Sequence, residues 1–162
     1  MLDKAGFKQL FDNYFDVIRR FVYYRCGNTD VASDIAQDVF MKIWEKRGQL
    51  NNDNLKSLLY KMANDLIVSN YRKDSTRLDF EQNMTTSNDS PLSPDEEFSF
   101  EELSLSYAKA LKQMPETQRV VFLMSRNDEL KYSEISECLD ISVKAVEKRM
   151  SAALQYLRTE LL

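Results

Sequence analysis

The 162-residue sequence contains no histidine and only two cysteines, Cys26 and Cys138. A zinc tetrad needs four Cys or His ligands, and a thiol nucleophile needs a nearby imidazole, so neither can be assembled here. Both thiols are expected to be ordinary packed side chains. Asp, Glu and Lys remain available for proton transfer, but no glycine-rich phosphate loop, metal cluster or nucleophile–base pair accompanies them. The residues therefore point to a binding protein rather than an enzyme, with no cofactor and no small-molecule substrate.

Three groups of polar residues could do the binding. Near the C-terminus, Lys144, Ala145, Glu147, Lys148, Arg149, Ser151 and Ala152 share the outer face of one amphipathic stretch. Arg and Lys can meet guanine edges or phosphates, Glu can accept from a cytosine amino group, and small residues let a backbone approach closely. The alternative is a solvated helix face. Near the middle of the N-terminal half, Asp34, Gln37, Asp38, Met41 and Glu45 recur at helical spacing opposite an apolar stripe. An acidic stripe with an exposed methionine is either a protein-docking surface or a solvated face. The third group combines the amide-rich run Leu50-Asn51-Asn52-Asp53-Asn54 with Lys56, Lys61, Asn64, Asp65, Arg72 and Lys73. Hydrogen-bonding edges beside a cationic track suit the capture of a single nucleic-acid strand. Tyr60 and Tyr71 could stack on bases there or be half-buried aromatics.

Helices must position all three. Only 3 Gly and 3 Pro occur, too few for many tight hairpins, which argues against a strand-rich fold. Phe7, Leu10, Phe11, Tyr14, Phe15, Val17, Ile18, Phe21 and Val22 predict a first helix ending near Gly27. Thr29 or Asp30 can cap a second, built on Val31, Ile35, Ala36, Val39, Phe40, Ile43 and Trp44. A third begins near Asn54, with Leu55, Leu58, Leu59, Met62, Ala63, Leu66 and Ile67 inward. Further along, a helix over 103–114 stops before Pro115, which fits the first position of the next. Ser133 then caps a short helix to Leu139, and Ser142 caps a longer one from Val143 to Leu157, with Val143, Val146, Met150, Ala153, Leu154 and Leu157 inward. Only Asp140 and Ile141 separate them, and Asp tolerates the left-handed backbone that such a turn demands. A short helix, a tight turn and a longer basic helix form the pattern of a DNA-binding helix-turn-helix.

Charge divides the chain in the same way. Residues 1–74 carry 12 Lys+Arg against 10 Asp+Glu, residues 75–106 carry 1 against 8, and residues 107–162 carry 9 against 8. The net charge of −4 thus hides two near-neutral modules around one acidic segment. Polar, Pro-punctuated and acidic, that segment cannot bury enough apolar surface to offset chain entropy and is expected to be a flexible linker. The expected architecture is all-α: a helical domain over 1–74, an acidic linker over 75–102 and a helix-turn-helix domain over 103–162. The start of the chain has no apolar core after its charges, and no uncharged apolar run approaches the roughly 18 residues of a membrane span. The cytoplasm is the expected compartment.

The stretch Asp34-Ile35-Ala36-Gln37-Asp38-Val39-Phe40-Met41-Lys42-Ile43-Trp44 resembles the polymerase-binding segment of bacterial sigma factors. Leu58 to Ala63, Tyr71-Arg72-Lys73, Met114-Pro115 to Leu123 and Tyr132 to Leu157 resemble, in order and spacing, the promoter-reading segments of their extracytoplasmic-function group in the sigma-70 family. The resemblance covers nearly all of residues 7–158 except the linker. It implies a two-domain transcription initiation factor whose partners are core RNA polymerase and promoter DNA. Asp34, Gln37, Asp38, Met41 and Glu45 would grip the clamp of the largest polymerase subunit. Asn51, Asn52, Lys61, Asn64, Asp65, Arg72 and Lys73 would open the upstream-ten promoter element. Lys144, Ala145, Glu147, Lys148, Arg149, Ser151 and Ala152 would read the upstream-thirty-five element. Relatives are often held by an anti-sigma factor. The sequence departs from the family at Asn64, commonly basic, at Asp65, commonly Asn, at Glu147, basic in many relatives, and at Ala152. Ser142 to Lys148 also resembles the recognition helix of response-regulator output domains, but the helical pattern of residues 1–74 does not fit a receiver. A helical adaptor that binds only protein is the reading from a different class.

Overall fold

The computed structural model describes residues 2–51, 53–74 and 94–162, of which 72–74 and 94–99 by their backbone alone. Every regular element among them is helical. Asp3 accepts a hydrogen bond from the Gly6 amide at 2.7 Å and starts α1 (Lys4–Cys26), satisfying a donor that the first helical turn leaves open. Gly27 ends α1 at φ 71°, a left-handed conformation that a side chain would disfavour, and its N–H returns to the Tyr23 carbonyl at 2.8 Å. The helix α2 (Thr29–Glu45) follows at once. Its cap is Asn28, whose side chain accepts from the Val31 amide at 3.1 Å, rather than Thr29 or Asp30. Asparagine is among the strongest caps, and its use places Thr29 inside the first turn. After a single 3-10 turn at Arg47–Gln49 comes α3 (Leu55–Asp74).

The C-terminal unit comprises α4 (Pro94–Gln113), α5 (Glu116–Arg126), α6 (Tyr132–Leu139) and α7 (Val143–Leu161). The helix α4 starts well before the expected Leu103. Proline suits a first helical position, because it has no amide hydrogen to leave unpaired and its φ is already helical. The expected linker over 75–102 is therefore helical from Pro94 onward, and residues 75–93 lie outside the described residues. Pro115 stands at the cap of α5 rather than at its first position. The helix α6 begins at Tyr132, not after Ser133, because Glu134 reaches back to accept from the Lys131 amide at 3.0 Å and draws two more residues into the helix. Asp140 adopts the expected left-handed backbone at φ 55°, and Ser142 caps α7 by accepting from the Ala145 amide at 3.0 Å.

Burial follows the helical periodicity. Ile18, Phe21, Val22, Ala36, Val39, Ile43, Leu59, Tyr60, Ala63 and Ile67 fill the N-terminal unit, and Leu111, Val121, Leu123, Met124, Ile135, Val146 and Ala153 fill the C-terminal one. The buried line of α7 is narrower than its sequence stripe. Val146, Met150, Ala153 and Leu157 are buried, whereas Val143 and Leu154, expected inward, are 41% and 37% exposed. The two units touch, with α1 packing on α5 and α3 on α6. No helix among the described residues is long and apolar enough to cross a membrane.

Candidate nucleic-acid and protein interfaces

Three faces correspond to the three polar groups. On α7, Lys144, Glu147, Lys148 and Ser151 are exposed, and Ala145, Arg149 and Ala152 are half-exposed. The buried side of the same helix pins it to α5 and α6, so its outer face is presented on a rigid element. Lys144, Lys148 and Arg149 have no carboxylate within ion-pair distance among the described residues, and their charges are available to an external anion. The sharp turn at Asp140 is braced by two contacts between Ser136 and Ile141. The Ile141 amide donates to the Ser136 carbonyl at 3.1 Å, and the Ser136 hydroxyl donates to the Ile141 carbonyl.

On α2, Asp34, Gln37, Asp38, Met41 and Glu45 are all exposed, Met41 by 60%. Beside them lies a feature absent from the sequence reading. Phe7, Phe11 and Phe15 of α1 face Phe40 and Trp44 of α2 across a groove of about 850 Å³, with Gln37, Met41 and Glu45 on its rim. Ring centroids lie 4.9 Å apart for Phe7–Trp44 and 5.2 Å for Phe11–Phe40, both edge-to-face, and 4.7 Å for the stacked Phe11–Phe15 pair. Phe11 remains 38% exposed although it belongs to the apolar stripe of α1. The available signal was the width of that stripe. Phe7, Leu10, Phe11, Tyr14, Phe15, Val17 and Ile18 cover more of the helix than one neighbour can bury.

The third group is brought together in part. Asn51, Lys61, Asn64 and Asp65 are exposed. Lys61, Asn64 and Asp65 line one side of a cleft of about 740 Å³ with Asn54, Ser57 and Tyr60, while Glu137, Cys138 and Leu139 of α6 and Asp140 of the turn after it line the other. Asn64 is not free to turn, because its side-chain oxygen accepts a hydrogen bond from the Arg25 guanidinium. Asn52 and the side chains of Arg72 and Lys73 lie outside the described residues. Tyr60 is fully buried, so it cannot stack on a base, and burial pushes its hydroxyl pKa up. Tyr71 is half-buried; burial and the adjoining Glu116 push its hydroxyl up to about 12. Both thiols are buried, and burial raises both pKa values, as suits unreactive packed cysteines.

Two family models match this chain: sigma-70 region 2 over residues 10–77, and sigma-70 region 4 over residues 104–157. The ECF RNA polymerase sigma factor SigW of Bacillus subtilis (strain 168) is 29% identical over 170 residues, an alignment covering 98% of this chain and 90% of SigW. The chain belongs to the extracytoplasmic-function group of the sigma-70 family. The RNA polymerase sigma factor YlaC of the same organism is 23% identical over 94% of this chain and 90% of its own length. Among solved structures, the sigma factor RpoE in complex with the anti-sigma factor NepR from Bartonella quintana superposes with a TM-score of 0.70 at 21% identity, covering 96% of both chains. CnrH in complex with the cytosolic domain of CnrY gives 0.65 at 18% identity, covering 97% of this chain and 88% of CnrH. These likenesses show a shared fold. As a sigma factor the protein is a transcription initiation factor that recognises promoters, it is not an enzyme, and its partners are core RNA polymerase and promoter DNA.

Proposed function

We propose that the three faces divide the work of initiation. Residues 1–74 dock on core polymerase through Asp34, Gln37, Asp38, Met41 and Glu45, with the aromatic groove beside them receiving apolar side chains of the partner. The same domain holds the melted upstream-ten strand on Asn51, Asn52, Lys61, Asn64, Asp65, Arg72 and Lys73. The C-terminal helix-turn-helix lays α7 in the major groove of the upstream-thirty-five element, where Lys144, Lys148 and Arg149 meet phosphates and guanine edges while Glu147 accepts from a base. Ala145, Ser151 and Ala152 are small enough to let the backbone approach. An anti-sigma factor, the class of partner bound to RpoE in its complex with NepR, belongs to this reading, as does a cytoplasmic location.

The observation that supports it best is the outer face of α7, where three cations without carboxylate partners among the described residues stand on a helix anchored by Val146, Met150, Ala153 and Leu157. The test is transcription from a genomic DNA library by core polymerase, with and without the protein. New start sites that vanish in the Glu147, Lys148 and Arg149 triple alanine variant support the assignment. Start sites that persist unchanged in that variant refute the role given to α7.

A further inference from the structure

Val143 is the first residue of α7, and its side chain is 41% exposed. Its place in the apolar stripe predicts burial, yet Val146, three residues on, is fully buried and Val143 is not. Stability gives little reason for a valine there. An exposed isopropyl group gains little from the core, and β-branching makes valine a poorer helix former than alanine.

The backbone that carries it is tightly held. Asp140 turns the chain at φ 55°, Ser136 bonds both the amide and the carbonyl of Ile141, and the Ser142 hydroxyl accepts from the Ala145 amide at 3.0 Å. Downstream, buried Val146 and Met150 fix the helix to its own unit. Within a helix a valine has one strongly preferred rotamer, so it loses little freedom when it meets a surface. The exposed isopropyl group is therefore preorganised.

Its surroundings are polar. Lys144 follows it, Glu147 stands four residues on along the same side of the helix, and both are exposed. In a helix-turn-helix the N-terminal residues of the second helix enter the major groove and meet base edges. Every base pair presents hydrogen-bonding groups there, and the apolar feature that distinguishes one base is the 5-methyl group of thymine. An isopropyl group offers nothing to a phosphate and fits that methyl group. Helical residues four apart have Cβ atoms about 5–6 Å from each other, and base pairs rise about 3.4 Å each, so Val143 and Glu147 reach base pairs one or two steps apart.

We infer that Val143 is a specificity-determining residue of the upstream-thirty-five contact, packing on the methyl group of a thymine one or two base pairs from the base read by Glu147. Glu147 selects by accepting a hydrogen bond from a cytosine amino group, and Val143 selects by apolar contact. The inference rests on the proposed role of α7 in reading that element.

The test uses holoenzyme, formed from the full chain and core polymerase, on duplex DNA carrying an upstream-thirty-five element recovered by the library transcription. Each thymine is replaced in turn by deoxyuridine, which removes the methyl group and leaves every hydrogen-bonding edge in place, and affinity is measured at fixed salt. Losing one apolar contact of this size should weaken wild-type binding about four- to tenfold at one position. Val143→Ala should bind thymine and uracil there equally, with an unchanged thermal melt because the side chain is exposed. A wild-type protein indifferent to every replacement, or a loss that persists undiminished in Val143→Ala, would overturn the assignment. The Glu147, Lys148 and Arg149 triple alanine variant keeps the readings separable. If it retains promoter selectivity, α7 does not read the element and both assignments fall. If it loses selectivity while no thymine depends on Val143, the role of α7 stands and that of Val143 falls.

Discussion

Replacing Arg119 with methionine keeps most of the aliphatic stem and removes the guanidinium, so the loss isolates the polar part of the seam between the two units. The structure gives Arg119 four backbone acceptors, two in each unit. A hydrogen bond to a charged group is worth about 1.5–3 kcal/mol. The contacts to Tyr24 and Arg25 are short, but their carbonyls can regain water if the units part, so the four bonds do not add in full. A net loss of about 3 kcal/mol is expected, within the range for removing one partner of a buried charged interaction. At about 2–4 °C per kcal/mol for a chain of this size, the melting temperature should fall by roughly 6–12 °C. Calorimetry should show one transition for the wild-type protein and two for the variant as the units uncouple. Arg119→Lys retains the charge without the planar fork and should recover less than half of the loss. A melting temperature within about 2 °C of wild type, with one sharp transition, would show that the guanidinium contributes nothing to coupling the units.

Other outcomes follow from the exposed faces and the buried phenols. Asp38→Arg should weaken core polymerase binding at least tenfold, a cost that charge reversal at a docking face reaches readily, while leaving the thermal melt unchanged because Asp38 is exposed. Arg149→Ala should cost about 1–3 kcal/mol and relax preference at one base position if the guanidinium reads a guanine edge, and Glu147→Ala should change preference more than affinity, both scored on single-base promoter variants with holoenzyme at fixed salt. The Tyr71 hydroxyl is raised to about 12 by burial and by Glu116, so the folded state holds this proton more tightly than the unfolded chain. Its contribution to stability is complete below the ordinary phenol value near 10 and is lost as pH rises toward 12, so urea midpoints should fall over that interval and fall less steeply in Tyr71→Phe.

Most of the helices were legible because one face of each is apolar at helical spacing, as in Ile35, Val39 and Ile43 or Val146, Met150 and Ala153. The helix starts were less so. Asn28 displaced Thr29 and Asp30 as the cap of α2 because adjacent side chains can satisfy the same first-turn amides and only the path of the incoming chain chooses among them, and at α6 the Glu134 carboxylate, accepting from the Lys131 amide, moved the start ahead of Ser133. The exposed polar positions of α2 and α7 follow once the apolar stripe is set, but the stripe of α7 was read too wide, since Val143 and Leu154 are exposed. The aromatic groove did not, because periodicity reports which residues are apolar and not whether a neighbour arrives to cover them. Least legible was the seam. Arg20, Arg25, Glu116 and Asp128 are charged residues that sequence reasoning assigns to solvent, and their partners lie in the opposite unit. For Arg119 a faint signal existed in its place beside the apolar run Val120 to Met124, all of it buried.

Arg119 meets main-chain oxygens rather than side chains of the N-terminal unit, and this has a consequence for how the protein can change over time. Any residue at position 24 or 25 offers the same carbonyl, so substitutions there leave this bond intact and call for no compensating change at 119. Comparison of related sequences would show no correlated drift between the two positions, although they are joined. The Arg20–Asp128 pair behaves oppositely, since each charge is worth keeping only while the other remains. One seam therefore combines a contact that survives sequence divergence with one that records it. What would unseat the first is not an exchanged side chain but a shift in where α1 ends, which Gly27 determines through its left-handed backbone.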